Sequence, residues 1–181
     1  MNADDNPLDF VWATFKTTRD CLKVADKVRT QANVNWLQKT DFIFLSETEA
    51  SERLKTCHDE SENFAILLFW AVFERFIIDY LREKGKPLME IEPNALSGPF
   101  YQQFESTVEY WRIEDILDIF KSIVDPNLLG NAKNIKKYRD WVAHRNPRRV
   151  HEGKTDPKFV YSILSQIITA INNFETSPDS L

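Results

Sequence analysis

Residues 64–81 read FAILLFWAVFERFIIDYL, and this stretch decides the fold. Apolar side chains surround nearly the whole circumference of a helix formed here, and Glu74, Arg75 and Asp79 are its few interruptions. A helix that is apolar on all sides is buried by others, so we expect it to be the central helix of its domain. A membrane span needs about 20 predominantly apolar residues, so no membrane association is expected.

The composition indicates one folded domain. The chain has 181 residues, 43% of them hydrophobic and 13% aromatic, which is enough to bury a core without disulfide or metal support. Only four glycines are present, which disfavours a turn-rich β-sandwich or barrel. The first residues lack the pattern of a signal peptide, and we expect a cytoplasmic protein. Cys21 and Cys57 show no metal-type spacing and are expected to be buried thiols in a reducing compartment.

Capping signals predict where the helices begin. A short polar residue followed by proline is typical of a helix start, because proline suits the first helical position. Serine followed three residues later by glutamate forms a capping box. These signals occur at Asn6-Pro7, Asp125-Pro126 and Asp156-Pro157, and at Ser46 with Glu49.

Apolar periodicity extends these starts into helices, and the product is one all-α bundle of about five to seven helices. Gly85 is expected to end the long helix as a C-terminal glycine. Residues 86–103 contain three prolines and are expected to form a long irregular connection with at most one short helix. Residues 148–155 are expected to form a basic loop. The predicted helices cover about 7–28, 46–84 (straight or bent near Ser61), 104–124 (broken near Arg112), 125–144 and 157–174.

A basic block interrupts an otherwise acidic chain. Residues 133–149 contain seven cations and one anion, although the whole chain carries a net charge of −5. Such a block is the usual electrostatic footprint of nucleic-acid binding. It is equally explained if it neutralises an acidic surface, and the carboxylates within residues 47–62 provide one.

Arg139 and His144 lie inside this block and suit RNA cleavage by the adjacent 2′-hydroxyl. The reaction needs a proton-transfer group near neutral pH, which histidine supplies, and a cation for the charged transition state, which arginine supplies. No metal is required. Residues five apart on a regular helix point about 140° apart, so the pair cannot grip one phosphate from one face. Either the helix distorts before Pro147, or a second copy of the motif completes the site across a dimer axis.

The arrangement of Arg139, four intervening residues and His144, with polar Asp140 after the arginine, resembles the signature of the HEPN superfamily. The central helix with Glu74 also resembles the early core helix of such domains. The resemblance covers about residues 46–174, so that the N-terminal helix and the proline-containing connection look like additions. It implies an antiparallel four-helix core and a homodimer with the motif at its interface. It also implies metal-independent endoribonuclease activity, as in toxin–antitoxin and phage-defence systems.

Other side chains near the motif are given supporting roles. Asp140 either orients the catalytic pair or is a surface charge, and Glu74 either reaches the motif as a supporting acid or is a partly exposed structural residue. Toxins silenced by modification often carry tyrosine two residues after the histidine, and Asn146 stands there instead. The candidate RNA-binding residues are Lys136, Lys137, Arg145, Asn146, Arg148 and Arg149.

No cofactor or metal is expected. The chain lacks a glycine-rich phosphate loop and a dinucleotide fingerprint. His58 and His151 show no zinc-type spacing with cysteine or acidic clusters. The expected partners are RNA, a second copy of the chain and a regulatory protein such as an antitoxin. Two alternatives stay open: a catalytically silent helical module that dimerises and binds RNA or protein, and a helical scaffold without a nucleic-acid role.

Overall fold

The computed structural model describes residues 6–31, 37–145 and 153–176, and the predicted all-α class is confirmed. Within these ranges there are six α-helices and no strand. Short 3₁₀ helices join several of them. None of the helices in the described ranges is long and apolar enough to cross a membrane. The α-helices are α1 (Asp9–Thr30), α2 (Glu47–Gly85), α3 (Asn94–Thr107), α4 (Ile113–Ile119), α5 (Pro126–His144) and α6 (Pro157–Thr176).

The predicted central helix is α2, which has 39 residues and runs without interruption through Ser61. It begins at the predicted capping box, where the Ser46 hydroxyl accepts from the Glu49 amide and the Glu49 carboxylate accepts from the Ser46 amide. The apolar half of α2 is buried in the core. Fully buried side chains on it include Ile66, Phe69, Trp70, Phe73 and Ile77.

Helices α1, α5 and α6 pack around α2. Arg29 near the end of α1 lies 3.5 Å from Glu47 near the start of α2, while the rings of Trp12 and Phe69 are 6.4 Å apart. The two helices are therefore antiparallel. Helix α6 covers a neighbouring face of α2, since the rings of Tyr161 and Phe69 are 5.8 Å apart.

The apolar core includes the start of the N-terminal helix. Leu8, Val11 and Phe15 are buried in the same apolar cluster as the residues of α2, α5 and α6. The N-terminal helix is thus one of the four long helices that build the core. The buried residues of α1 itself are Val11 and Phe15, which both lie in its first two turns.

The prediction of an irregular connection over 86–103 is wrong. Lys86–Glu90 forms a 3₁₀ helix, and α3 begins at Asn94 with Pro99 inside it. Pro99 lacks the amide that would donate to the carbonyl four residues earlier, and its ring crowds that carbonyl, so a proline inside a helix is normally unfavourable. The close contact of Phe104, later in the same helix, with Gly85 favours the helix in spite of this cost. The predicted break near Arg112 is confirmed, because α4 begins at Ile113.

Gly85 is the last residue of α2, as predicted, but its role there is to leave room for a neighbouring helix. Its φ is −80°, so it does not adopt the left-handed conformation of a C-terminal glycine cap. It is buried, and a Cβ atom at this position would overlap the ring of Phe104 and lie 2.8 Å from its Cζ atom. Glycine therefore permits the close approach of α3 to the end of α2.

The cysteines are not buried as predicted. Cys21 and Cys57 are both free and exposed. They lie in the second half of α1 and the first half of α2, where these helices present polar side chains to solvent. Free cysteines are usually buried among apolar side chains. Cys21 and Cys57 lie outside the apolar cluster, so this general rule does not hold for them.

Candidate active site around Arg139 and His144

Helix α5 carries the predicted catalytic pair. The Asp125 carboxylate accepts a hydrogen bond of 2.8 Å from the Asn127 amide and caps the start of the helix. From Pro126 the helix is unbroken to His144, and Arg145 ends it in the left-handed region with φ 39°. Because no distortion separates Arg139 from His144, their side chains diverge by about 140° around the helix.

Arg139 is half-buried and fixed on several sides. Its two terminal nitrogens lie 3.0 Å from a carboxylate oxygen of Glu74 and 3.0 Å from one of Asp140. The guanidinium carbon also lies 5.7 Å from the ring centroid of buried Trp70. Both predicted supporting residues therefore contact Arg139. Their carboxylates and the indole ring orient the guanidinium plane before any ligand arrives.

His144 contrasts with Arg139. Its side chain is exposed in the last turn of α5, and it makes no hydrogen bond, ion pair or ring contact with another described residue. An exposed imidazole at the end of a helix is accessible to an external phosphate. The structure does not bring His144 onto the face occupied by Arg139 and Glu74.

Lys136 and Asp140 extend the ion pairing toward α4. Lys136 Nζ lies 2.8 Å from Glu114 Oε1 and 2.9 Å from Asp140 Oδ2. The hydrogen bond that Lys136 donates to Glu114 raises the pKa of Lys136 above its ordinary value and lowers the pKa of Glu114. Asp140 thus bridges Lys136 and Arg139. Glu114 is a member of this network that the sequence analysis missed, because no local pattern relates it to α5.

The remaining candidate RNA-binding residues differ in their surroundings. Lys137 is exposed. Arg145 pairs with Glu60 of α2. Asn146, Arg148 and Arg149 lie outside the described residues.

The pairing bears on the two interpretations of the basic block. Among its described cations, Lys133 pairs with Asp118, and Lys136, Arg139 and Arg145 pair with carboxylates as given above. Neutralisation of acidic residues therefore accounts for much of the block. The acids come from α2, α4 and α5 itself, and only Glu60 belongs to the predicted acidic stretch 47–62.

One acidic cluster on α2 has the residue types of a metal site. The ligand atoms of His58, Asp59 and Glu62 all lie within 4.8 Å of one another, a grouping that the sequence analysis did not anticipate. Lys154 Nζ already lies 2.7 Å from Asp59 Oδ1 and 2.6 Å from Glu62 Oε2. The ammonium group pairs with both carboxylates and balances one of their two negative charges, so the cluster has a charge partner without a metal.

The arrangement around α5 offers an oriented cation at Arg139 and an accessible proton-transfer group at His144. These are the two chemical functions that phosphodiester cleavage needs. Comparison of the chain with protein-family models, with curated proteins and with solved structures finds no match.

Proposed function

We propose that the chain is a metal-independent endoribonuclease whose catalytic residues are Arg139 and His144. The observation that carries the proposal is the contrast between them. Arg139 is held in one orientation by Glu74 and Asp140, whereas His144 is exposed in the last turn of the same helix. A fixed cation can stabilise the charged transition state, and an accessible imidazole can transfer the proton.

The reaction proceeds by attack of the ribose 2′-oxygen on the adjacent phosphorus. The 2′-hydroxyl gives its proton to a base, the bond from phosphorus to the 5′-oxygen breaks, and an acid protonates that leaving oxygen. Imidazole can fill either proton-transfer role near neutral pH. Arginine stabilises the negative charge on the transition state through its planar set of N–H donors. The products are a 2′,3′-cyclic phosphate and a 5′-hydroxyl.

The proposed site is shared between two copies of the chain. Arg139 and His144 diverge by about 140° on an unbroken helix, so one copy presents only one of them to a given phosphate. In a two-fold dimer the same surface meets itself, and the arginine of one copy can face the histidine of its partner. The homodimer is thus part of the proposal.

The five N–H donors of the Arg139 guanidinium are only partly used by its contacts with Glu74 and Asp140. The remaining donors are available to a phosphate. We assign the two carboxylates to the positioning of Arg139. The resemblance to HEPN proteins further suggests a cytoplasmic toxin or phage-defence effector restrained by a partner such as an antitoxin.

A second candidate function is a catalytically silent helical module that binds RNA or protein. The observation that favours it is the pairing of Lys133, Lys136, Arg139 and Arg145 with carboxylates, which leaves less free positive charge for RNA. Such a module would keep its fold and its partners without cutting RNA. Nuclease activity decides between the two.

The test compares wild type with Arg139→Ala and His144→Ala on total RNA in the presence of EDTA. We expect wild type to cut RNA, both variants to lose the activity by about 100-fold or more, and the products to carry cyclic phosphate ends. Arg75→Ala and His58→Ala are the matched controls, since Arg75 also pairs with a carboxylate and His58 is also partly exposed. Uncut RNA in every lane, with folded protein, would favour the silent module.

A further inference from the structure

One turn of α2 neutralises two cations that come from other parts of the chain. Residues 59–62 carry three carboxylates on Asp59, Glu60 and Glu62; we call this segment the acidic turn. Glu60 pairs with Arg145 at the end of α5. Lys154, just before α6, pairs with Asp59 at 2.7 Å and with Glu62 at 2.6 Å. The acidic turn therefore gathers Arg145 and Lys154 at one end of the bundle.

The pKa shifts of Asp59, Glu60 and Lys154 favour the charged form of each group. Burial alone would lower the pKa of Lys154, but hydrogen bonds with Asp59 and Glu62 outweigh it and raise that pKa above its ordinary value. The hydrogen bond from Lys154 lowers the pKa of Asp59, and the hydrogen bond from Arg145 lowers the pKa of Glu60. The contacts are thus ion pairs between full charges.

The two cations remain within reach of an external anion. The side chain of Arg145 is 54% exposed and that of Lys154 is 47% exposed. Each carboxylate presents oxygens to its cation much as a phosphodiester would, since both anions suit the same N–H donors. Arg145 also directly follows His144, the exposed histidine of the proposed site.

We propose that Arg145 and Lys154 form a backbone-binding site for single-stranded RNA, and that the acidic turn occupies this site until RNA displaces it. The inference rests on the proposed function for its choice of RNA and adds a regulatory contact to the same end of α5. Binding is an exchange of carboxylates for phosphates. The acidic turn therefore lowers affinity and favours strands that can engage both cations together.

Removing the carboxylates should expose the two cations. The triple variant Asp59→Asn, Glu60→Gln, Glu62→Gln is compared with a control, Glu52→Gln, Glu83→Gln, Glu105→Gln, which removes the same charge from exposed acids elsewhere. The probe is a short fluorescent oligothymidylate, followed by anisotropy over a range of salt concentrations. This DNA lacks the 2′-hydroxyl, so the proposed chemistry cannot cut it and binding is measured alone.

We expect the acidic-turn variant to bind on the order of ten-fold more tightly than the control at low salt. Removal of both Arg145 and Lys154 from that variant should make the slope of log affinity against log salt shallower by about 1.4, because two single-strand phosphate contacts of about 0.7 each are lost. Adding Arg145→Gln and Lys154→Gln to that variant should abolish the gain. Circular dichroism and thermal melting check that each variant is folded.

Equal tightening in the control would overturn the proposal, because the effect would then be one of net charge. A gain that survives removal of Arg145 and Lys154, or a lack of binding by every folded variant, would overturn it too. Failure of cleavage together with the expected binding result would refute the proposed nuclease and leave the binding site standing.

Discussion

Arg139 makes contacts that a lysine could not reproduce together. Its guanidinium reaches Glu74 and Asp140 through different nitrogens while its flat face lies over Trp70. Lysine has a single ammonium group and lacks the planar fork. The side chains of Glu74 and Asp140 are 33% and 34% exposed, so water screens their ion pairs with Arg139, and each pair contributes about 1 kcal/mol or less to stability. These contacts therefore matter more for orientation than for folding. This is the pattern expected of a residue whose position serves a site.

Tyr138, the neighbour of Arg139, also contacts α2, but its contact serves the fold. Its side chain is buried, and its hydroxyl donates a hydrogen bond of 3.0 Å to Asn63 Oδ1 on α2. We expect Tyr138→Phe to lower the free energy of unfolding by about 1 kcal/mol, because it leaves the Asn63 oxygen without this donor. Urea denaturation measures the change.

The control for this substitution is Tyr110→Phe, since Tyr110 is 84% exposed and should lose nothing measurable. A Tyr138→Phe variant as stable as wild type would contradict the hydrogen bond between α5 and α2. Cleavage activity should be retained in both variants, since neither hydroxyl belongs to the proposed site.

At the scale of the helices, the contact between α2 and α3 depends on the absence of a side chain at Gly85. Gly85 is buried, and an added Cβ atom would overlap the Phe104 ring. We expect Gly85→Ala to lower the free energy of unfolding by about 1–3 kcal/mol, because the ring and α3 must shift to make room. Thermal and urea unfolding give the difference from wild type.

Gly130 is the matched control, because it lies inside α5 and has no atom within 4 Å of an added Cβ. Gly130→Ala should raise stability by about 0.5–1 kcal/mol, since alanine restricts the unfolded chain and favours a helix. Stabilisation by both substitutions would show that α3 does not approach α2 as closely as described.

Most helix starts could be predicted from the sequence because their signals are local. The Ser46 capping box and the caps at Asp125 and Asp156 each act within three residues. The helix containing Pro99 could not be predicted in the same way. It depends on the packing of Phe104 against Gly85, between residues that the sequence pattern does not relate.

The sequence places Arg139 and His144 on one helix and offers Glu74 and Asp140 as supporting acids, but it does not predict the ion pairs of α5 with Glu114 and Asp118. The spacing of Arg139 and His144 follows from the sequence, as does the divergence of their side chains on a regular helix. The partner of Arg139 is Glu74, which lies 65 positions earlier in the chain. Glu114 and Asp118 of α4 likewise pair with Lys136 and Lys133 of α5. Such pairs depend on tertiary packing, which periodicity does not encode.

At the scale of the whole molecule, the shared site can be tested by mixing two inactive variants. Arg139→Ala and His144→Ala should each be inactive alone as homodimers. Co-expression of the two with different affinity tags yields mixed dimers, in which one site retains both the arginine of one copy and the histidine of the other. We expect the purified mixed dimer to regain up to about half of the wild-type rate.

The control is a mixed dimer in which both copies carry Arg139→Ala, which should stay inactive under the same purification. If the Arg139→Ala and His144→Ala mixture is also inactive while wild type cuts RNA, each site lies within one copy. The divergence of the two side chains along α5 would then need a conformational change to bring them together.

The position of α2 in the chain has a consequence for synthesis. Its apolar half leaves the ribosome before α5 and α6, although α6 provides Val160, Leu164 and Ile167 to the core around it. Although α1, α3 and α4 emerge earlier, the face of α2 that α6 covers stays exposed until α6 has been synthesised, and such exposure favours aggregation or capture by chaperones. Nascent chains stalled before Pro157 are therefore expected to be chaperone clients, and the addition of α6 completes the apolar cluster around α2.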